Sequence, residues 1–291
     1  NSFLLLYHKQ KITKYIFKRN LLFIFDNILG KWYNKNMGNV KISVLNDDRC
    51  FNDLFKHCHG LSLFVETEHA KVLFDVGQDD SYFHNAKTLG INLDEAKCLV
   101  LSHGHYDHSD GLVYLKKGSK IICHPNCTIW RRAKKTGKYN GLPYSKEDFT
   151  SRFDVTFSKE PVKISEDIYF LGQIERKTDF ECKEFPSTIE DGSDDIALDD
   201  TGIAIKTSRG LIVISGCGHS GICNTVEQAR KVTGCKEVLA VLGGFHLKTI
   251  NNQVEKTIEY FEKIKVKELY LGHCTSDEVC DYFKQKLNGS M

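Results

Sequence analysis

Four of the six residues from His103 to His108 carry side chains that bind metal ions. These are His103, His105, Asp107 and His108. They directly follow residues 98–101, an apolar run with the character of a short buried strand. A solvated loop would favour Lys, Ser and Gly, and an apolar core would exclude three imidazoles and a carboxylate unless another group offset their desolvation. The spacing therefore predicts a metal centre, in which the alternate histidines reach one ion while Asp107 and His108 turn towards a second.

Mixed nitrogen and oxygen ligands suit one or two divalent ions, with zinc expected and manganese, iron or nickel also compatible. An ion in an open site lowers the pKa of a water ligand from about 15.7 to about 7 and polarises a carbonyl or phosphoryl oxygen. Asp107 could orient that water and then pass its proton to a leaving group. We therefore predict a hydrolase in which metal-bound hydroxide attacks an ester or phosphoester of a small anionic substrate. A non-catalytic metal-binding sensor is an alternative.

Short β-branched and aromatic runs alternate with helical stretches from Val40 onward, a pattern typical of an α/β protein. The pattern occurs twice. The first copy predicts strands over residues 61–66, 71–74 and 98–101, and the second predicts strands over residues 202–206, 211–214 and 238–242 with a helix over 224–232. Each copy ends with one more strand, before His124 or before His273. Because open α/β sheets bind ligands at the carboxyl ends of strands, both halves should bring histidines to one edge.

A long insertion, at about residues 125–195, is expected between the two halves and over the site. Its first part is basic and includes Arg131, Arg132, Lys134, Lys135 and Lys138, with Trp130 and Tyr139 beside them. Arginine pairs can hold phosphate oxygens in a two-pronged manner. We therefore predict that Arg131 and Arg132 bind an anionic group of the substrate, with a solvated basic surface as the alternative.

The composition describes an ordinary folded protein without a strong electrostatic field. The chain has 291 residues, 41% of them hydrophobic, which is enough to bury a large core. Its formal net charge of +2 does not provide the basic surface that nucleic-acid-binding proteins use. Eleven cysteines without zinc-knuckle or redox-motif spacing indicate reduced thiols and a cytoplasmic protein. We expect a small-molecule substrate, with neither a nucleic acid nor a membrane as partner, and the composition leaves the oligomeric state open.

Residues 1–36 differ in character from the rest of the chain. They mix basic residues with an apolar run at positions 21–25, which is too short to span a bilayer. We interpret this segment as a poorly ordered extension outside the native protein, whose start we expect at Met37. Residues 37–291 then form a single domain that includes the insertion.

The segment Ser102-His103-Gly104-His105-Tyr106-Asp107-His108 resembles the signature of the metallo-β-lactamase superfamily, whose fold is a four-layered αββα sandwich made of two similar halves. Further blocks are similar to the 7,8-dihydropterin-6-yl-methyl-4-(β-D-ribofuranosyl)aminobenzene 5'-phosphate synthase-like branch. They lie at residues 59–62, 74–78, 216–222, 243–247 and 272–275. The name of this branch implies carbon–carbon bond formation, which makes a transferase-like reaction the alternative to hydrolysis.

The resemblance also implies roles for individual residues. One metal ion would be held by His103, His105 and His219, and the other by Asp107, His108 and His273. Asp75 would orient a ligand histidine through its second ring nitrogen. The bridging carboxylate found in most two-metal members has no clear counterpart. Cys217 or His246 could take its place, and His59 is a further candidate for a metal or substrate contact.

Overall fold

The structure, a computed structural model, describes residues 40–50, 53–183 and 185–289. The expected N-terminal extension, 1–36, and the expected start at Met37 lie outside these residues. The strands are β1 (Lys41–Asn46), β2 (Ser62–Glu66), β3 (Lys71–Phe74), β4 (Cys98–Val100), β5 (Lys120–Cys123), β6 (Arg131–Ala133), β7 (Asp154–Phe157), β8 (Val162–Lys163), β9 (Ile168–Phe170), β10 (Ser187–Ile189), β11 (Gly202–Thr207), β12 (Gly210–Ser215), β13 (Val238–Gly243) and β14 (Glu268–Leu271). The helices are α1 (Ser81–Thr88), α2 (Tyr106–Ser109), α3 (Lys146–Arg152), α4 (Ile222–Thr233), α5 (Asn252–Ile264) and α6 (Asp277–Gly289), and short 3₁₀ turns cover Leu93–Glu95, Asp110–Tyr114 and Pro125–Thr128.

In the described part of the chain, the strands form two six-stranded sheets and one small two-stranded sheet. The first sheet has the order β1-β2-β3-β4-β5-β7, and the second has the order β14-β13-β12-β11-β9-β8. In each sheet an antiparallel pair, β2–β3 or β11–β12, continues into two parallel neighbours. The duplicated strand pattern predicted from the sequence is thus present, and the predicted helix over 224–232 corresponds to α4.

Three apolar clusters hold the four layers of an αββα sandwich together. One lies between the two sheets, and each of the others lies between a sheet and the helices that cover it. Alternate residues of β2 and β11, such as Leu63 and Ile203, pack between the two sheets, while Phe64 and Ala204 face outward to the helices. This alternation is the period-two pattern of strands buried on both faces. Helix α1 covers the first sheet, and α4, α5 and α6 cover the second. The predicted α/β class and four-layered fold are confirmed.

The predicted insertion at 125–195 is not a single separate segment. Strand β7 extends the first sheet beside β5, and β8 and β9 extend the second sheet beside β11. Among the described strands of this stretch, only β6 and β10 lie outside the two large sheets, and they form an antiparallel pair. Strands β7, β8 and β9 are too short to show a clear apolar periodicity in the sequence, so the predicted insertion included them. The parts of this stretch that lie against the site are those around Arg131 and Asp195.

Neither a long apolar helix nor a disulfide is found in the described ranges. No helix there is long and apolar enough to cross a membrane. The sulfur atoms of Cys123 and Cys127, the closest pair in sequence, are 3.4 Å apart and remain thiols.

Candidate metal centre

Loops from both sheets meet at one edge of the sandwich. The loop after β4 carries His103 and His105 and leads into α2, which carries Asp107 and His108. The loop after β12 carries Cys217 and His219, and the loop after β14 carries His273. The five histidines and the one aspartate predicted as ligands therefore all lie at this edge. The parallel strands of each half end at this edge, as expected for an α/β ligand site.

Three groups of ligating atoms occur at this edge among the described residues, and two of them share one sulfur. His103, Cys217 and His219 form one group, in which the ligating atoms lie within 4.8 Å of one another. Asp107, His108, Cys217 and His273 form the other, by the same measure. His105 joins the first group, since its Nδ1 is 3.1 Å from His219 Nε2. Cys217 therefore has the position of a bridging ligand, which a carboxylate takes in most two-metal members.

Most of these histidines have an oxygen on the ring nitrogen that faces away from the centre. His108 Nδ1 is 2.7 Å from Asp75 Oδ2, and His273 Nδ1 is 2.8 Å from Asp48 Oδ1. His103 Nδ1 is 2.9 Å from the hydroxyl of Ser102, which itself donates to Asp75. A proton held on the outer nitrogen leaves a lone pair on the inner one. The imidazoles are thus in the orientation that metal ligands need.

The inner nitrogens and the sulfur lie close to one another. His108 Nε2 lies 3.0 Å from His273 Nε2 and 3.2 Å from Cys217 Sγ. The buried Nε2 of His103 has no hydrogen-bond partner among the described residues. A buried polar atom without a partner is unfavourable. A divalent cation would satisfy all of these atoms, and nitrogen with sulfur is a donor set that zinc prefers.

The electrostatics of the centre also suit a cation. Burial, followed by the neighbouring imidazoles, lowers the pKa of His103 and of His219 well below the usual range, so both rings stay neutral. Burial opposes the charge on Asp107, but His108 and His273 outweigh it and lower the pKa of this carboxyl. Asp107 is therefore ionised at neutral pH.

Protons occupy two of the positions that a cation would take. Burial raises the pKa of the Cys217 thiol well above its usual range. For His273, burial is outweighed by Cys274, Asp107 and Asp48, and the pKa is raised well above the usual value. A cation binding to these two side chains must displace their protons.

Comparison with known proteins agrees with this geometry. Residues 56–230 match the sequence profile of the metallo-beta-lactamase superfamily. The chain belongs to this superfamily. A relative from Methanocaldococcus jannaschii named 7,8-dihydropterin-6-methyl-4-(beta-D-ribofuranosyl)-aminobenzene-5'-phosphate synthase is 32% identical over an alignment of 273 residues, and the match covers 85% of this chain and 92% of the relative. An uncharacterised protein of the same organism is 33% identical over 244 residues, covering 80% of this chain and 90% of that protein.

Among solved structures, a metal-dependent hydrolase of the β-lactamase superfamily is similar over nearly the whole domain. Its TM-score with this chain is 0.75 at 30% sequence identity, and the match covers 84% of this chain and 92% of the hydrolase. The resemblance drawn from the motifs is therefore confirmed at the level of the superfamily, and the synthase-like branch is represented among the relatives.

Two further histidines border the centre of this superfamily member. The ring of His246 lies 4.4 Å from that of His219, but His246 is not part of either ligand group among the described residues. Its backbone is in the left-handed region, with φ of 49°. His59 is more exposed, with Nδ1 2.9 Å from Asp48 and Nε2 3.4 Å from Asp107. His59 thus lies at the solvent side of Asp107, and with Asp48 and His273 it forms the third group of possible metal ligands.

The two arginines predicted to bind substrate have different surroundings. Arg131 is fully buried, and its guanidinium is paired with Asp195 and Asp199. This position does not suit the predicted contact with a substrate, because both sides of the guanidinium are occupied by carboxylates. Arg132 is exposed and stacks over Trp130 at 4.9 Å. Of the two arginines, Arg131 is therefore part of a buried ionic group and Arg132 is a solvated cation.

Several carboxylates around the centre were not recognised in the sequence. Asp48 orients both His273 and His59, and Asp47 accepts a hydrogen bond from the backbone N–H of His273 at 2.9 Å. Asp195 and Asp199 flank the loop that carries His105. Asp47 and Asp48 directly follow β1, at the same sheet edge as the other ligands. Their position directly after a strand is the feature of the sequence that could have identified them as residues of the site.

Replacement of Asp75 by Asn is expected to weaken metal binding by about 10–100-fold, because Asp75 orients His108 directly and His103 through Ser102. Asn suits this position, since the φ of 54° at residue 75 lies in the region that Asn tolerates. Titration of the metal-free protein with Zn²⁺ against a competing chelator measures the change. Ser102→Ala, which removes only the support of His103, should have a smaller effect. Equal affinity in Asp75→Asn and the unmodified protein would contradict the orienting role.

Proposed function

We propose that this chain is a metal-dependent hydrolase that cleaves an ester or phosphoester of a small molecule with two divalent cations. The observation that carries the proposal is the sharing of Cys217 by two groups of ligating atoms. Cations held side by side by one bridging group can stabilise both the attacking and the leaving oxygen of a displacement, and they make a water nucleophile available at neutral pH. His103, His105 and His219 would hold the first cation, and Asp107, His108 and His273 the second.

Asp107 is the side chain best placed to handle the proton of that reaction. Its Oδ2 is 3.3 Å from His273 Nε2 and 3.4 Å from His59 Nε2, so it lies between the ligand nitrogens and the exposed His59. Its lowered pKa keeps it ionised at neutral pH. Asp107 would orient the nucleophile and then deliver its proton to the leaving group.

The charge of the proposed centre favours an anionic substrate. Asp107 and the Cys217 thiolate are the only negatively charged members of the two ligand groups found among the described residues. These two charges are fewer than the four that two divalent cations would carry, although the carboxylates that orient the ligands offset part of the difference. A cation with an open coordination position would bind a phosphate or carboxylate oxygen of a substrate directly.

A synthase-like transferase is a second candidate, and the relative from Methanocaldococcus jannaschii favours it. The match is 32% identical and extends over 92% of the relative. Two cations could also stabilise the leaving group of such a condensation. The two candidates differ in the acceptor, which is water in the hydrolase and a second substrate in the synthase.

The proposal predicts turnover by the metal-loaded protein and its loss in Asp107→Asn, with kcat reduced by about 10²–10⁴-fold. Protein loaded anaerobically with Zn²⁺, Mn²⁺ or Fe²⁺ is assayed on p-nitrophenyl esters, phosphomonoesters, phosphodiesters and lactones. The same preparations are incubated with the dihydropterin and aminobenzene substrates of the synthase, and products are identified by mass spectrometry.

Asp154→Asn serves as the control, since this exposed carboxylate lies on β7 and belongs to neither ligand group. It should retain full activity. Condensation without hydrolysis would replace the first candidate by the second. Absence of both reactions in metal-loaded protein would leave the sensor as the remaining function and refute the enzymatic proposal.

A further inference from the structure

Arg131 lies at the middle of a fully buried ionic cluster. Its Nε is 2.9 Å from Asp195 Oδ2, and its two terminal nitrogens are 2.8 and 3.0 Å from the oxygens of Asp199. The side chains of all three residues are at most 2% exposed. Burying charges is unfavourable, and replacing such clusters by apolar residues is often neutral or stabilising. Stability of the fold is therefore a weak reason for this arrangement.

The two carboxylates lead from Arg131 to consecutive residues of the metal-binding loop. Asp199 Oδ2 accepts a hydrogen bond from the backbone N–H of Gly104 at 2.8 Å. Asp195 Oδ2 lies 3.7 Å from His105 Nε2, which is an electrostatic contact and not a hydrogen bond. The loop is packed closely against the cluster, because a Cβ at Gly104 would be 2.8 Å from a guanidinium nitrogen of Arg131 and 1.8 Å from a backbone oxygen.

His105 is the one histidine of the centre that presents Nδ1 inward. Its Nδ1 faces His219 Nε2 at 3.1 Å, and its Nε2 faces Asp195. The nearby carboxylate favours the tautomer with the proton on Nε2, which leaves the lone pair on Nδ1. The opposite tautomer would direct an N–H at the cation position.

We propose that Arg131 is a positioning residue of the metal centre, which holds Asp195 and Asp199 so that they fix the Gly104–His105 loop and the inward-facing Nδ1 of His105. This inference rests on the proposed metal centre. It assigns to Arg131 a role in coordination geometry, in place of the contact with substrate that its sequence suggested.

Cobalt(II) binding to the metal-free protein tests the role without an assay of activity. Asp195→Asn keeps the shape of the side chain and an acceptor for Arg131, but removes the negative charge next to His105. We expect its affinity for Co²⁺ to fall about 10–100-fold and the visible d–d absorption of the bound ion to change. Arg131→Lys, which keeps the charge but not the two-pronged geometry, should change the spectrum in the same direction.

The control is Asp167→Asn, a carboxylate that accepts hydrogen bonds from Thr67 and Ser165 beyond the far end of β2. It should bind Co²⁺ like the unmodified protein. Melting temperatures of the metal-free variants separate misfolding from a local effect, and if Arg131→Lys does not fold, Asp195→Asn decides.

Unchanged affinity and spectrum in Asp195→Asn, with activity intact in the unmodified protein, would overturn the positioning role alone. Failure of the unmodified protein to bind any divalent ion would overturn both this role and the proposed function.

Discussion

The double variant His103→Ala, His105→Ala is expected to lose all bound metal and all activity while remaining folded. Both histidines lie in the loop after β4, and neither belongs to the three apolar clusters that hold the layers together. Their loss removes two of the nitrogens of the first cation position. Metal content by mass spectrometry and the far-ultraviolet circular dichroism spectrum measure the two parts of the prediction.

A matched double variant provides the control for removal of two imidazoles. His69 and His84 are exposed, and neither belongs to a ligand group in the described structure. Their replacement by Ala should leave the metal content unchanged. Metal retained at the original ratio in the His103 and His105 variant would contradict the assignment of these residues as ligands.

Replacement of Cys217 is expected to have the next largest effect, because its sulfur belongs to both ligand groups. Cys217→Ala should weaken metal binding by more than the roughly 10–100-fold typical of residues that only orient a ligand. Cys217→Asp restores a negatively charged bridge and should recover part of the binding. Cys98→Ala, which removes a buried thiol from β4, is the control.

The pH dependence of binding supplies a second readout for Cys217. Burial holds the pKa of this thiol well above its usual range, and the pKa of His273 is also raised well above its own. A cation must displace both protons, so affinity should rise with pH. The rise should be less steep in Cys217→Ala, since one of the two protons is no longer released. An identical slope would show that the thiol stays protonated and is not a ligand.

The sequence predicted the fold and the ligand residues because both depend on local patterns. The strand periodicity and the histidines after the strands recur in each half, and β11, β12 and α4 lie where the pattern placed them. Pairing between distant residues has no such local signal. Asp48 contacts His273 across 225 positions, and Arg131 reaches Asp199 across 68.

The error at Arg131 has the same origin. A run of basic residues is usually solvated, and nothing within the run indicates which member turns inward. Pairing of β6 with β10 determines which arginine is buried, because successive side chains of a strand point to opposite sides and Arg131 and Arg132 are neighbours on β6. The partners of the buried member lie in the loop before β11, which the sequence showed only as an acidic end of the expected insertion.

The ligands come from both halves of the duplicated fold. Asp107 and His108 belong to the first half and His273 to the second, with Cys217 of the second half between them. Neither half alone carries a complete set for either position. A bound cation would therefore cross-link the two halves, and its binding free energy would oppose their separation. At a cation concentration about 100 times the Kd this amounts to about 2.7 kcal/mol of added resistance to unfolding. Amide exchange at the facing ends of β4 and β12 would slow together when the cation binds, whereas amides at the remote end of each sheet that exchange by local opening would exchange as before.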